Sequence, residues 1–236
     1  MKSPIPLWEH PSVPVDGSDA RFPVRHVYCV GRNYAEHAAE MGGDATKEPP
    51  FFFAKAADAI LPVAAAEVGT MPYPPATENL HHEVELVVAI GRGGANFTSE
   101  HALALVYGYA VGLDMTRRDL QKVAKDARRP WDTAKSFACA APIGAIRTVE
   151  AGGHARRGAI TLDVNGVRRQ VGDLRDMIWD VAHTLAFLSR YCELLPGDLV
   201  YTGTPAGVAA VVPGDYLDAR IEGLPPLTVG IVEERR

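Results

Sequence analysis

Apolar residues along this chain alternate more often than they recur at helical spacing. Two-residue periodicity runs through VRHVYCVG (24–31), HHEVELVVAI (81–90), VYGYAVGLDMT (106–116) and GAITLDVNGVRRQV (158–171). Such alternation marks strands that turn one face to a core. In the last of these runs the alternation is interrupted by Asn165-Gly166, the dipeptide of a tight type I′ hairpin turn. The aromatic run at 49–63 and the runs at 199–208, 215–223 and 227–232 supply further strands or their loops.

Helical spacing is rarer. Its clearest instance is 173–191, where Met177, Val181, Leu185 and Leu188 should face the core. RRDLQKVAKDA (117–127) and SEHALAL (99–105) read as shorter helices, the second with Ser99 as its cap. RNYAEHAAEMGG (32–43) reads as a short helix capped by Asn33, with Glu36 completing the cap and Gly42-Gly43 ending it. A helix this short is marginal without tertiary contacts, which suits a lid that orders over a ligand. GTMPYPPATENLHH (69–82) reads as a Pro-rich loop. Strands outnumber helices and no regular βαβ repeat emerges. The expected fold is therefore mixed α/β and mainly β: a rolled or sandwich-like sheet with a few packed helices. Residues 1–60 are expected to form a lead-in that carries the lid segment, and residues 61–236 a β domain that holds the chain's candidate chemistry.

Composition narrows the function classes. The chain has 236 residues, 47 % hydrophobic and 22 % charged, enough for an ordinary core without disulfides or a structural metal. A net charge of -5 argues against broad nucleic-acid binding. The most basic stretch, 116–129, is interrupted by Asp119 and Asp126. No run is long and apolar enough to cross a membrane. Cys29, Cys139 and Cys192 are odd in number, widely spaced and set among apolar residues, which fits buried free thiols and a reducing cytoplasm. GxGxxG, GxSxG and HExxH motifs are absent, which counts against nicotinamide, serine-hydrolase and zincin chemistry.

Candidate chemistry begins at Glu83 and Glu85, two residues apart in a strand pattern and so on one face. Asp114 ends another strand-like run. Two readings stand on spacing alone. The carboxylates belong to a solvated strand face, or they converge on a hard divalent cation such as Mg2+ or Mn2+. His37 and Glu40 share a helix face, either as a surface pair or as an oriented base. His81 and His82 suit a loop or supporting role better than joint ligation. Lys135, in an increasingly apolar run, is either a snorkelling strand lysine or the partner of an anion. The turn GTPAG (203–207) offers backbone donors and the Thr204 hydroxyl to a carboxylate.

Taken in order, VGRNYAEHAAEMG, FFFAKAADAILP, HHEVELVVAIG, GYAVGLDMTRRDLQ, AKSFACAAPIG and VYTGTPAGV resemble the fumarylacetoacetate hydrolase family. The likeness covers most of the chain from residue 24 onward. It implies a mixed β-roll fold, a homodimer, and Glu83, Glu85 and Asp114 as ligands of Mg2+ or Mn2+. It makes His37 and Glu40 the water-activating pair and places Lys135 beside metal and substrate. Thr204 is implied to bind the substrate carboxylate, Arg118 and Gln121 to make polar substrate contacts, and Arg32, on the lid segment, to bind substrate as well. The implied activity is hydrolysis of a carbon–carbon bond in an acylpyruvate, with fumarylpyruvate, derived from gentisate, as first choice. The products would be fumarate and pyruvate. Alternatives are decarboxylation of oxaloacetate, isomerisation or decarboxylation of hydroxylated dioic acids, and a binding protein without catalysis.

Overall fold

The computed structural model describes residues 3–40 and 49–233, apart from the side chains of 38–40. Its centre is a curled eight-stranded sheet in which Val84–Ile90 and Val106–Leu113 pair antiparallel. Leu199–Tyr201 lies beside Val84–Ile90, and Val27–Gly31 and Phe51–Lys55 continue that side. Ala141–Ile143 and Ile60–Pro62 complete the other side. A five-stranded sheet packs against it, built from Val167–Asp173, Ala159–Val164, Tyr216–Ile221, Leu227–Val232 and Val68–Pro72. The fold is mixed α/β and mainly β, with several packed helices, as the alternating pattern implies.

Alternation within the central strands sends side chains into two cores. Leu86, Val88, Ile90, Tyr109 and Val111 point to the larger core, between the two sheets. Val87, Ala89 and Ala110 point the other way, toward Val13, Phe22, Val27 and Tyr201. Both faces of Val84–Ile90 are buried throughout, as expected for a strand covered on either side. The hairpin turns where Asn165-Gly166 stands, and both residues adopt positive φ, 52° and 76°.

Several expected boundaries move. The expected long helix at 173–191 is interrupted. Val167–Asp173 runs as a strand, a single 3-10 turn covers Leu174–Asp176, and the helix proper is Val181–Leu188. Asp180 caps it by accepting from the His183 backbone N–H at 2.9 Å. Met177 is buried as expected but pairs with Tyr34 instead of riding on the helix. Thr98, not Ser99, precedes the helix Ser99–Ala102. The Pro-rich stretch contributes the strand Val68–Pro72, which pairs in parallel with Leu227–Val232. Cys29 is buried, but Cys139 and Cys192 are partly exposed; all three are free thiols. No helix among the described residues is long and apolar enough to cross a membrane.

Candidate metal centre and active site

The carboxylates meet because of strand register. Glu85 stands opposite Gly112 in the central antiparallel pair. One step beyond the ladder, the Asp114 N–H donates to the Glu83 carbonyl at 2.8 Å. Glu83 itself sits in the break between Leu80–His82 and Val84–Ile90. Glu83, Glu85, Val87 and Ala89 therefore share one face, whose apolar end belongs to the smaller core. Ligand atoms of Glu83, Glu85 and Asp114 lie within 4.8 Å of one another. Their exposures of 4 %, 1 % and 1 % exclude a solvated strand face.

Three cationic side chains surround these three acids. Lys135 Nζ donates to Glu83 Oε2 at 2.7 Å and to Asp114 Oδ2 at 2.8 Å. Arg118 Nη2 pairs with Glu83 Oε1. Lys55 Nζ lies 2.8 Å from Asp114 Oδ1 and donates to the carbonyls of Met115 and Lys135. Glu83 is buried, which would raise its pKa, but Lys135 and Arg118 hold it below the ordinary glutamate value. Lys135 is buried too, yet Asp114 and Glu83 keep it protonated, with its pKa above the ordinary lysine value.

Glu85 is compensated least. No described cation forms a salt bridge with it, and the Gly203 N–H donates to Oε2 at 2.7 Å. Burial, then Asp114 and Glu83, push its pKa well above the ordinary carboxylate range. A buried carboxylate in conflict with two neighbours is the situation a hard divalent cation relieves. The all-oxygen donor set fits such an ion, with Mg2+ or Mn2+ first by ligand type.

His37, Arg118, Gln121, Lys135 and Thr204 line the same pocket as the three carboxylates, and Arg32 lies at its edge with φ of 59°. His37 is buried on the short helix Ala35–Glu40. The side chain of Glu40, its expected partner, lies outside the described residues, as do residues 41–43 of the expected lid. Arg118 and Gln121 lie on one face of the helix Arg118–Asp126, with Lys125 one turn further along the pocket wall. Arg118 Nη1 donates to Gln121 Oε1 at 2.6 Å. Lys135 is carried by the short helix Asp132–Lys135 and not by a strand. His81 and His82 do not join the candidate metal group. His81 instead receives Arg118 Nε at 3.4 Å.

Asn33 turns out to be a cross-link and not a helix cap. Its amide donates to the carbonyls of Trp179 and Thr202, both at 2.8 Å, and accepts from the Trp179 N–H at 2.8 Å. Lys55 and Gln170 are site-supporting residues that the sequence pattern did not single out. The lysine's signal was an ammonium inside an aromatic strand. Gln170 carried one as well, since it is the inward position of an otherwise exposed strand.

Residues 26–232 match the family described as fumarylacetoacetate (FAA) hydrolase C-terminal. A fumarylpyruvate hydrolase of Ralstonia sp is 46 % identical over 192 residues, 80 % of this chain and 97 % of that one. An oxaloacetate tautomerase of Escherichia coli (strain K12) is 39 % identical over 203 residues, 86 % of this chain and 90 % of the relative. The crystal structure of fumarylpyruvate hydrolase from Pseudomonas aeruginosa in complex with Mn2+ and pyruvate superposes with a TM-score of 0.97. The two share 51 % identity over 99 % of this chain and 100 % of that one. With its carboxylate triad, its ring of cations and this similarity along nearly its whole length, the chain belongs to the fumarylacetoacetate hydrolase family.

Proposed function

We propose that this protein is a divalent-metal-dependent hydrolase of acylpyruvates that cleaves fumarylpyruvate to fumarate and pyruvate. The observation that carries this reading is the convergence of Glu83, Glu85 and Asp114 in a pocket also lined by His37, Lys135 and Thr204. Its support from relatives is the 51 % identity to a fumarylpyruvate hydrolase that holds Mn2+ and pyruvate.

Each residue has a role in this reading. Glu83, Glu85 and Asp114 would hold the cation, Mn2+ or Mg2+. When bound, it supplies charge stabilisation and polarises substrate oxygens. The His37 imidazole, oriented by Glu40, removes a proton from the water that attacks the distal acyl carbonyl. Collapse of the resulting adduct breaks the carbon–carbon bond, and the electron pair passes to the pyruvate fragment as an enolate. The Lys135 ammonium sits where it can stabilise the developing oxyanion. Protonation at carbon then gives pyruvate. Thr204 donates to the carboxylate of the pyruvate end, Arg118 and Gln121 bound the substrate from the helix side, and Arg32 from the lid side. Residues 1–60 supply the lid-bearing segment together with two strands of the central sheet, Val27–Gly31 and Phe51–Lys55, and residues 61–236 the rest of the catalytic β-roll.

The protein is further proposed to act as a cytoplasmic homodimer that binds neither nucleic acid nor membrane. The free thiols and the net charge of -5 support this placement. Exposed Ile5, Leu7 and Trp8 on the N-terminal arm are candidates for the subunit contact, and light scattering reads the assembly.

The substrate test compares fumarylpyruvate, acetylpyruvate and oxaloacetate with Mn2+ and after chelation. Metal-dependent loss of acylpyruvate absorbance, fastest for fumarylpyruvate, is expected. The oxaloacetate tautomerase relative at 39 % identity makes enolisation of oxaloacetate the competing outcome. That reaction with no acylpyruvate cleavage would move the assignment to an isomerase.

A further inference from the structure

Behind the pocket wall, one buried glutamine makes four hydrogen bonds. Gln170 lies on the strand Val167–Asp173 and is fully buried, although its neighbours on that strand are exposed. Its Oε1 accepts from the Val84 N–H at 3.0 Å and lies 2.9 Å from His82 Nδ1. Its Nε2 donates to the Pro205 carbonyl at 2.8 Å and to Thr204 Oγ1 at 2.8 Å.

The orientation of this amide is decided by its partners. A backbone N–H only donates, so Val84 must face Oε1. A carbonyl only accepts, so Pro205 must face Nε2. Two consequences follow. His82 must carry its proton on Nδ1 to donate to Oε1. Thr204 Oγ1 must accept from Nε2, which leaves its own O–H as donor. No described residue accepts that proton, and Thr204 lines the pocket together with Glu83, Glu85 and Asp114. The second donor proton of Nε2 goes to Pro205, so the amide is saturated and held at both ends.

We infer that Gln170 is a positioning residue that fixes the Thr204 hydroxyl as a hydrogen-bond donor to a carboxylate bound in the pocket. Left alone, a threonine hydroxyl rotates and is as ready to accept as to donate. A carboxylate ligand accepts only, so a hydroxyl committed to donating binds it without reorganisation. Gln170 never touches substrate; it acts through Thr204. The inference rests on the reading of this pocket as a keto-acid site.

The test is a double-mutant cycle read by calorimetry, with oxalate titrated into the Mn2+-loaded protein. Gln170→Glu keeps the size and still accepts from Val84 and His82. It cannot donate to Thr204, whose O–H then turns toward the new carboxylate and away from the pocket. Gln170→Glu is expected to weaken oxalate binding about 10- to 100-fold, the value of one hydrogen bond to a charged group. It should raise KM for fumarylpyruvate more than it lowers kcat. In a Thr204→Val background the same change should cost less than about 2-fold, because the hydroxyl it acts through is gone. Equal losses in both backgrounds, or no loss in the first, overturn the inference. Should Gln170→Glu not fold, the wild-type protein labelled with 15N-histidine gives the answer. His82 protonated at Nδ1 supports the amide orientation, and His82 protonated only at Nε2 overturns it. A wild-type protein that binds no oxalate with Mn2+ removes the keto-acid reading itself, and this inference falls with it. Normal wild-type binding with an insensitive Gln170→Glu removes the Gln170 role alone.

Discussion

Glu85 is where stability and chemistry conflict. Its carboxylate is buried beside two others and held by one backbone N–H. Glu85→Gln should therefore have effects of opposite sign. Without metal the variant is expected to melt at or above the wild-type temperature, because the repulsion is removed and the Gly203 N–H keeps an acceptor. Its Mn2+ affinity should fall by more than about 100-fold, beyond what loss of a supporting partner costs. Melting curves with and without Mn2+ read both effects; undiminished metal-induced stabilisation would contradict the ligand role. His37→Ala should lower kcat by about 10²- to 10⁴-fold while leaving KM nearly unchanged. Arg118 illustrates how much of a residue's part is hidden from sequence. The resemblance implies a polar substrate contact for it, and in the fold its guanidinium is engaged with Glu83 and Gln121. Arg118→Ala is accordingly expected to slow fumarylpyruvate and acetylpyruvate cleavage alike. Lys125→Met, about two helical turns along the same pocket wall, should slow fumarylpyruvate selectively. The i,i+2 pair Glu83 and Glu85 was legible as a candidate from strand spacing, and the triad with Asp114 only from the family resemblance. Of the cations opposing it, Lys135 was legible as the partner of an anion, whereas the Lys55–Asp114 and Arg118–Glu83 pairs were not, since each joins residues far apart in sequence.

At the scale of elements, three short segments converge on one amide. Asn33 joins the end of the Val27–Gly31 strand to the carbonyls of Trp179 and Thr202. Asn33→Ala leaves the buried Thr202 carbonyl without its donor and the Trp179 N–H without its acceptor, which costs about 1–3 kcal/mol each when unrelieved, while the Trp179 carbonyl keeps the Thr184 hydroxyl at 3.0 Å. Denaturant unfolding should show a loss of at least about 2 kcal/mol, and a change below about 0.5 kcal/mol would contradict the cross-link. The sequence makes Asn33 a plausible cap because Asn is a good cap; only the tertiary contact with Trp179 shows the competing use. A similar override divides 173–191. Its periodicity is helical, but pairing of Met177 with Tyr34 and the cap at Asp180 delay the helix to Val181. The Asn165-Gly166 hairpin was legible because its turn is set by local backbone preference alone. Gly112 was not singled out, yet a Cβ there would lie 2.4 Å from Val87 and 2.6 Å from the Tyr201 ring. That glycine allows the strand with Asp114 and the strand with Glu85 to pack at this register.

Across the whole molecule, three histidines are held neutral. Burial lowers His81 to about 4, helped by the charge of Arg118. Burial also lowers His82, and burial with Arg156 lowers His154. The unfolded chain protonates these groups as pH falls through about 6.5, while the folded protein takes up the same protons only at lower pH. At these three groups protons thus favour the unfolded state, whereas at Glu85, whose pKa the fold raises, they favour the folded state, so in metal-free protein the histidine contribution is read as the difference between the wild type and a histidine variant. Melting temperatures between neutral pH and pH 5 check this, and His154→Gln should flatten part of the slope. A difference between the wild type and His154→Gln that does not change with pH would contradict the neutral assignment. The mainly β architecture was legible from alternation because two sheets bury opposite faces of each central strand. Which strands neighbour one another was not, because parallel pairs such as Val68–Pro72 with Leu227–Val232 depend on contacts far apart in sequence. In the folded chain the helix Ala35–Glu40, the carboxylate strands and the Thr204 turn meet around one pocket. The central claim is that this pocket cleaves an acylpyruvate with a divalent cation. Quantifying products from fumarylpyruvate tests it most directly. With Mn2+, fumarate and pyruvate should appear in equal amounts, and chelation should stop both. Undiminished product formation in the fully chelated protein, or enolisation of oxaloacetate with no fumarate released from fumarylpyruvate, would contradict it.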